Sequence, residues 1–266
     1  MTDATTAALV GATGGAGTTR LTLETAALLA GEGADVAVFD AAFATQGLGD
    51  ALDGSLDPDL TSVLTEQATL AEAGVELPVA STGAETVADT ETTGTESGSV
   101  TCHPTAAPFT RLAEAKTAAA ARRFETLLAD TATRFDYLLC DTPPVAANQS
   151  VSAVNVVDRV GIVAPASTRG VDAVARTEAR LADLGVERDL VVANEGATPE
   201  HDRDAVDADV TVPQSGTTAL VDAPSVNDDE TTLRPAVVEV AGALLDADVS
   251  VADDADAGRL DGLLSG

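Results

Sequence analysis

Residues Ala8 to Arg20 read A-L-V-G-A-T-G-G-A-G-T-T-R. The apolar run Ala7 to Val10 predicts a strand, and Leu21 to Leu29 carries apolar residues at helical spacing, so the glycine cluster joins a strand to a helix. Gly14, Gly15 and Gly17 let the backbone turn tightly with its N–H groups inward, while the following helix directs its positive end at the same point. A phosphate is the chemistry that fits such a turn.

The same glycines also read as Gly11-x-x-Gly14-x-x-Gly17, and with the next strand ending at Asp40 this matches a nicotinamide dinucleotide fingerprint. Hydride transfer of the short-chain dehydrogenase kind needs a tyrosine with a lysine four positions on. Tyr137 is the only tyrosine, and Asp141 stands four further. Dinucleotide binding without that chemistry stays open as an alternative.

Strand and helix alternate through the chain. Asp35 to Asp40 predicts a strand with Val36, Val38 and Phe39 in the core, Leu60 to Leu70 a short helix, and Val75 to Ala80 an edge strand. From Ser81 to Ser99 apolar residues nearly vanish, which predicts a disordered insertion inside the domain. A strand resumes over Ser99 to His103, and Thr117 to Thr131 reads as a helix with Phe124, Leu127 and Leu128 inward and Arg122 and Arg123 toward solvent. Phe135 to Pro144, F-D-Y-L-L-C-D-T-P-P, is a buried strand leading to an acid and then to two prolines that end any ladder. Beyond it come a helix over Val145 to Val157, a strand over Arg159 to Ala164, and an amphipathic helix over Thr168 to Leu184 with Val171, Val174, Leu181 and Leu184. Strands at Leu190 to Ala193 and Val210 to Pro213 precede a closing helix at Arg234 to Leu245. This alternation predicts an α/β fold, a mostly parallel twisted sheet with helices on both faces and the ligand at the C-terminal strand ends. The domain is expected to span 1–247, with an acidic tail over 248–266.

Read as x-G-G-x-G-x-T, the loop resembles the deviant Walker A motif of the MinD/ParA family of P-loop NTPases. D-T-P-P resembles that family's Walker B and switch II, and Asp40 to Leu48 resembles its switch I. The resemblance runs from about residue 5 to 247 and implies ATP or ADP with Mg²⁺ held by Gly14, Gly15, Ala16, Gly17, Thr18 and Thr19. Thr19 and Asp141 then hold the Mg²⁺ shell, Asp40 is the first switch I acid, Asn194 contacts adenine, and Pro213 closes the base pocket. Arg20 neighbours the α-phosphate, where its fork suits bidentate contact. This chain departs from the family's pattern at specific positions. Thr13 and Thr18 replace the two loop lysines, Ala42 replaces the second switch I acid, and Ala12 stands at the usual first glycine.

Those departures point to a nucleotide-binding protein with weak or lost ATPase activity that acts as an interaction or positioning module, as a homodimer or with a protein partner. The alternative is an active ATPase switch in partition or cell positioning. Nitrogenase-reductase relatives need paired cluster cysteines and tyrosine-kinase relatives a tyrosine-rich tail, and neither feature occurs here.

The formal charge of −30 comes from Asp and Glu spread along all 266 residues, and Lys116 is the only lysine among 14 basic residues. Few aromatics with abundant Ala, Thr and Asp resemble the proteome of an organism that balances salt with molar intracellular ions. Acidity is then a solvation device, because charges are screened within ~3 Å at 1 M salt. No basic patch supports nucleic-acid binding. No run approaches the length of a membrane span, the start lacks a signal-like pattern, and the tail is too acidic for a membrane anchor, so a cytoplasmic protein is expected. Cys102 and Cys140 are expected as free core thiols, and Cys102-His103 lacks the second pair a metal site needs.

Overall fold

The computed structural model describes residues 4–79, 98–197, 206–216, 219–228 and 232–249. The expected insertion lies outside these residues apart from Gly98 and Ser99, and so does the tail beyond Val249. Eight strands form one sheet: β1 (Thr5–Gly11), β2 (Val36–Asp40), β3 (Val75–Glu76), β4 (Val100–His103), β5 (Tyr137–Thr142), β6 (Arg159–Pro165), β7 (Leu190–Asn194) and β8 (Val210–Val212). Their order is β3-β4-β2-β5-β1-β6-β7-β8. Every pairing is parallel except that of β3 with β4.

Side chains alternate across each strand, and both faces are apolar, as a sheet covered on two sides requires. Ala7, Leu9, Val36, Val38 and Leu139 pack on the face covered by α1 (Thr18–Gly31) and α7 (Arg234–Leu245). Ala8, Val10, Phe39, Leu138 and Cys140 face α2 (Leu60–Leu64), α3 (Phe109–Ala115), α4 (Ala118–Ala132), α5 (Asn148–Val156) and α6 (Thr168–Asp183). Helix α1 is buried from Leu21 through Ala30 because α7 covers the side turned away from the sheet.

Four local features differ from the sequence reading. The helix expected to reach Leu70 stops at Leu64, where Glu66 enters the left-handed region at φ 61° and Gln67 N–H returns to the Ser62 carbonyl at 2.8 Å. The edge strand is cut to Val75–Glu76. Helix α3 lies within the Pro-punctuated exit from β4, where no helix was expected. On α6 the inner face is Gly170, Ala173, Thr177 and Leu181, while Val171 and Leu184 are 42% and 37% exposed. Cys102 and Cys140 are free and buried, and burial raises the Cys102 thiol to about 12 and Cys140 also upward. No group of metal-ligating side chains surrounds Cys102-His103 among the described residues. No helix among those residues is long and apolar enough to cross a membrane.

Candidate functional site

Parallel pairing brings the C-terminal ends of β1, β2, β5, β7 and β8 to one edge of the sheet, so residues far apart in sequence converge there. A cavity of about 420 Å³ opens at this edge, lined by the Gly14 to Arg20 loop, Asp141 to Pro144, Asn194 and Pro213.

The loop takes the backbone that its glycines permit. Gly15 and Gly17 sit at φ 73° and 89°, and a Cβ on Gly17 would lie 2.0 Å from Asn194 Nδ2. Ala12 N–H donates to Val163 O and Ala16 N–H to Thr13 O, whereas the N–H groups of Gly14, Gly15, Gly17, Thr18 and Thr19 meet no acceptor among the described residues. Helix α1 starts at Thr18 with no side-chain cap, which leaves its first-turn donors to whatever enters the cavity.

Thr19 donates its hydroxyl to Asp141 Oδ2 at 2.6 Å. The glycine loop and the acid at the end of β5 therefore share one face of the molecule. Asp141 is 1% exposed and pairs in register with Asp40 on β2. Burial raises both carboxyls from 3.8, Asp40 to about 6 and Asp141 to about 7, and for Asp141 the neighbouring Asp40 charge adds to the rise. An extra positive charge at Asp141 would be strongly favoured, which suits a hard cation with oxygen ligands.

Asp40 does not line the cavity. Its Oδ1 accepts Ala42 N–H at 2.7 Å, and its Oδ2 accepts the Thr105 hydroxyl at 2.5 Å and Thr105 N–H at 3.2 Å. The structure thus uses Asp40 to tie the segment after β2 to the exit from β4. Asp59, fully buried, holds the same exit through Ala106 N–H at 2.7 Å.

Asn194 bridges loop and sheet: its Nδ2 donates to Ala16 O at 2.9 Å and its Oδ1 accepts Gly196 N–H at 2.9 Å. Pro213 follows β8 and lines the cavity beside Val212, Leu233 and Val237, which make this end apolar. Arg20 also lines the cavity, and its guanidinium is engaged from within. Nε donates to Glu24 Oε1 at 3.2 Å, and Nη2 donates to the Ser215 and Ser225 hydroxyls at 3.3 and 3.1 Å. Glu24 is 1% exposed and accepts the N–H groups of Ser225 and Val226, each at 2.7 Å, and the Ser225 hydroxyl at 3.1 Å.

Glu24, Ser215 and Ser225 are site residues that the sequence reading did not single out. The available signal was an acid inside the otherwise apolar helical run L-T-L-E-T-A-A-L-L.

No protein-family model and no curated protein matches this sequence. Solved structures do match. The MinD protein of Pyrococcus horikoshii, complexed with Mg-ADP, is 17% identical with a TM-score of 0.67, covering 89% of this chain and 93% of that one. The MinC:MinD complex of Aquifex aeolicus gives 19% identity and a TM-score of 0.66, with 94% and 99% covered. The McdA–ATP complex of Cyanothece gives 20% identity and a TM-score of 0.57, with 80% and 83% covered. With its sheet order, its glycine loop and Asp141 meeting at one cleft, this chain has the α/β fold of the MinD/ParA-type P-loop NTPases.

Proposed function

We propose that this protein is a nucleotide-binding module of the MinD/ParA kind, one that takes ATP or ADP with Mg²⁺ weakly and hydrolyses it slowly or not at all. The observation that carries this reading is the 2.6 Å contact between Thr19 and Asp141, beside loop N–H groups that meet no acceptor among the described residues, at the mouth of a cavity of about 420 Å³. Loop amides bind and orient the phosphates, Asn194 and the apolar wall around Pro213 receive the base, and Thr19 with Asp141 holds the cation. When bound, Mg²⁺ neutralises phosphate charge and polarises the transferring group.

The residues that would speed phosphoryl transfer are missing from this arrangement. Catalysis there depends on positioning and on cations that stabilise charge in the transition state. Thr13 and Thr18 carry no charge, Ala42 orients no water, and the Arg20 guanidinium is already paired with Glu24. A charge-assisted hydrogen bond contributes roughly 1.5–3 kcal/mol, so losing one loop lysine weakens nucleotide binding on the order of ten- to a hundredfold. A module that holds its nucleotide without consuming it fits an interaction or positioning role, with a second copy or another protein as partner.

The test is a titration of ATP and ADP with Mg²⁺ in molar KCl, together with phosphate release by the parent and the Asp141→Ala variant. The expected result is weak saturable binding that Asp141→Ala reduces, with phosphate release equal in both. Turnover that depends on Asp141 would instead establish an active ATPase, and an empty loop at saturating nucleotide would end the nucleotide reading.

A further inference from the structure

Asn194 ends β7 beside the loop, and both polar atoms of its amide serve the chain itself. Nδ2 donates to Ala16 O in the loop at 2.9 Å, and Oδ1 accepts Gly196 N–H at 2.9 Å. The amide also occupies the room that Gly17 leaves by having no side chain: Nδ2 and Cγ stand 2.0 and 3.3 Å from the point where a Cβ on Gly17 would lie. The loop and β7 are therefore interlocked through a contact that glycine alone permits.

Telling one nucleobase from another takes a donor and an acceptor presented together, and an asparagine amide reads adenine in that bidentate way. Turning Asn194 toward a base would cost its bonds to Ala16 and Gly196 and release the loop that receives the phosphates. The other polar groups at this end are committed too. Arg20 donates to Glu24, Ser215 and Ser225, Glu24 accepts the N–H groups of Ser225 and Val226, and Gln214 also has a partner within the chain. Pro213 has no N–H to offer. What the wall presents to a ring is the apolar surface of Val212, Leu220, Leu233 and Val237, and every base has a face that such surface can cover.

We infer that this site takes nucleoside polyphosphates without regard to the base, and that Asn194 is a positioning residue that clamps the glycine loop. This rests on the nucleotide reading above and names the substrate class of the same site. Ligands are selected by their phosphates, so ATP and GTP compete on equal terms.

The experiment titrates the parent, Asn194→Ala and Asn194→Asp with ATP, GTP and inorganic tripolyphosphate at fixed Mg²⁺ in molar KCl, with circular dichroism reporting that each chain is folded. The two purines have the same ring size, so their ratio isolates reading of the base edge. Parent affinities for ATP and GTP are expected to agree within about fivefold, the least that one bidentate pair confers. Asn194→Ala is expected to weaken ATP, GTP and tripolyphosphate by one common factor of about fivefold, because the loop loses a hydrogen-bonded clamp. Asn194→Asp exchanges the Nδ2 donor for an acceptor, and its ATP-to-GTP ratio is expected to equal the parent's. A purine preference in the parent beyond that factor, or a changed ratio in Asn194→Asp, overturns base indifference and leaves the nucleotide pocket standing. Tripolyphosphate affinity untouched by Asn194→Ala overturns the clamp. No binding of either nucleotide by the folded parent overturns the nucleotide reading itself.

Discussion

Replacing Glu24 with alanine removes the anchor that fastens the Ser225–Val226 segment to the loop helix. The Glu24 carboxylate is 1% exposed and accepts two backbone N–H groups at 2.7 Å each, the Ser225 hydroxyl, and Arg20 Nε. Each hydrogen bond to a charged group is worth roughly 1.5–3 kcal/mol, and breaking a buried ion pair from one side costs about 3–5 kcal/mol. These costs overlap, because the same carboxylate serves all four donors. Arg20, 17% exposed, also keeps its bonds to the Ser215 and Ser225 hydroxyls. The expected loss is therefore about 3–5 kcal/mol in all. Equilibrium denaturant unfolding in molar KCl measures it as a shift in midpoint at unchanged slope. Glu24→Gln can keep its oxygen on the two backbone N–H groups but turns its NH₂ toward Arg20 Nε and the Ser225 hydroxyl, so about half the loss is expected. In a double-mutant cycle, Arg20→Met should cost much less in the Glu24→Ala background than alone. A loss under about 1 kcal/mol for Glu24→Ala would refute the reasoning, since the segment around Ser225 would then be held by something other than this carboxylate.

Three further outcomes follow from the geometry. Asp40 and Asp141, raised to about 6 and about 7 from 3.8, keep protons that the unfolded chain has already released, so stability falls as pH rises from about 4 through 7; Asp141→Asn should flatten that slope in pH-dependent melting curves. His103 behaves oppositely. It is buried against Phe39 at 4.6 Å between ring centres with neither nitrogen bonded among the described residues, and burial lowers it to about 4 from 6.5, so its contribution of about 3 kcal/mol is lost as pH falls through that interval; His103→Leu should remove the acid sensitivity and stabilise the chain at neutral pH by about 1–3 kcal/mol. Gly17→Ala forces a left-handed φ on an L residue and puts its Cβ 2.0 Å from Asn194 Nδ2, so a loss of about 2–3 kcal/mol together with loss of nucleotide binding is expected, whereas Gly14→Ala, with nothing within 4 Å, should change stability by less than about 0.5 kcal/mol.

What a linear sequence discloses here is set by how local each cause is. The strand entering the glycine loop, the buried run ending at Asp141 and the closing helix Arg234–Leu245 were all legible, because apolar periodicity and turn residues act over a few positions. Convergence of Gly14, Asp141, Asn194 and Pro213 was legible too, since parallel strands necessarily place like ends together. The direction of the Asp40 side chain was not. It depends on Thr105, 65 positions away, winning the carboxylate from the cavity. The pairing of Glu24 with Ser225 spans 201 positions and left only an odd acid in an apolar helix as its trace. Likewise α6 has more apolar residues than its neighbours cover, so periodicity predicted Val171 and Leu184 as inward when they are not.

The cleft draws one wall from residues 11–24 and the opposite wall from residues 212–237, stitched together by Arg20 and Glu24 across about two hundred positions. During synthesis the glycine turn leaves the ribosome about two hundred residues ahead of the wall that faces it, and stays half walled until that wall has emerged. A nascent chain still lacking Ser225 and Val226 has its loop amides but no backbone donors on Glu24, and the cleft is complete only once those two residues have followed.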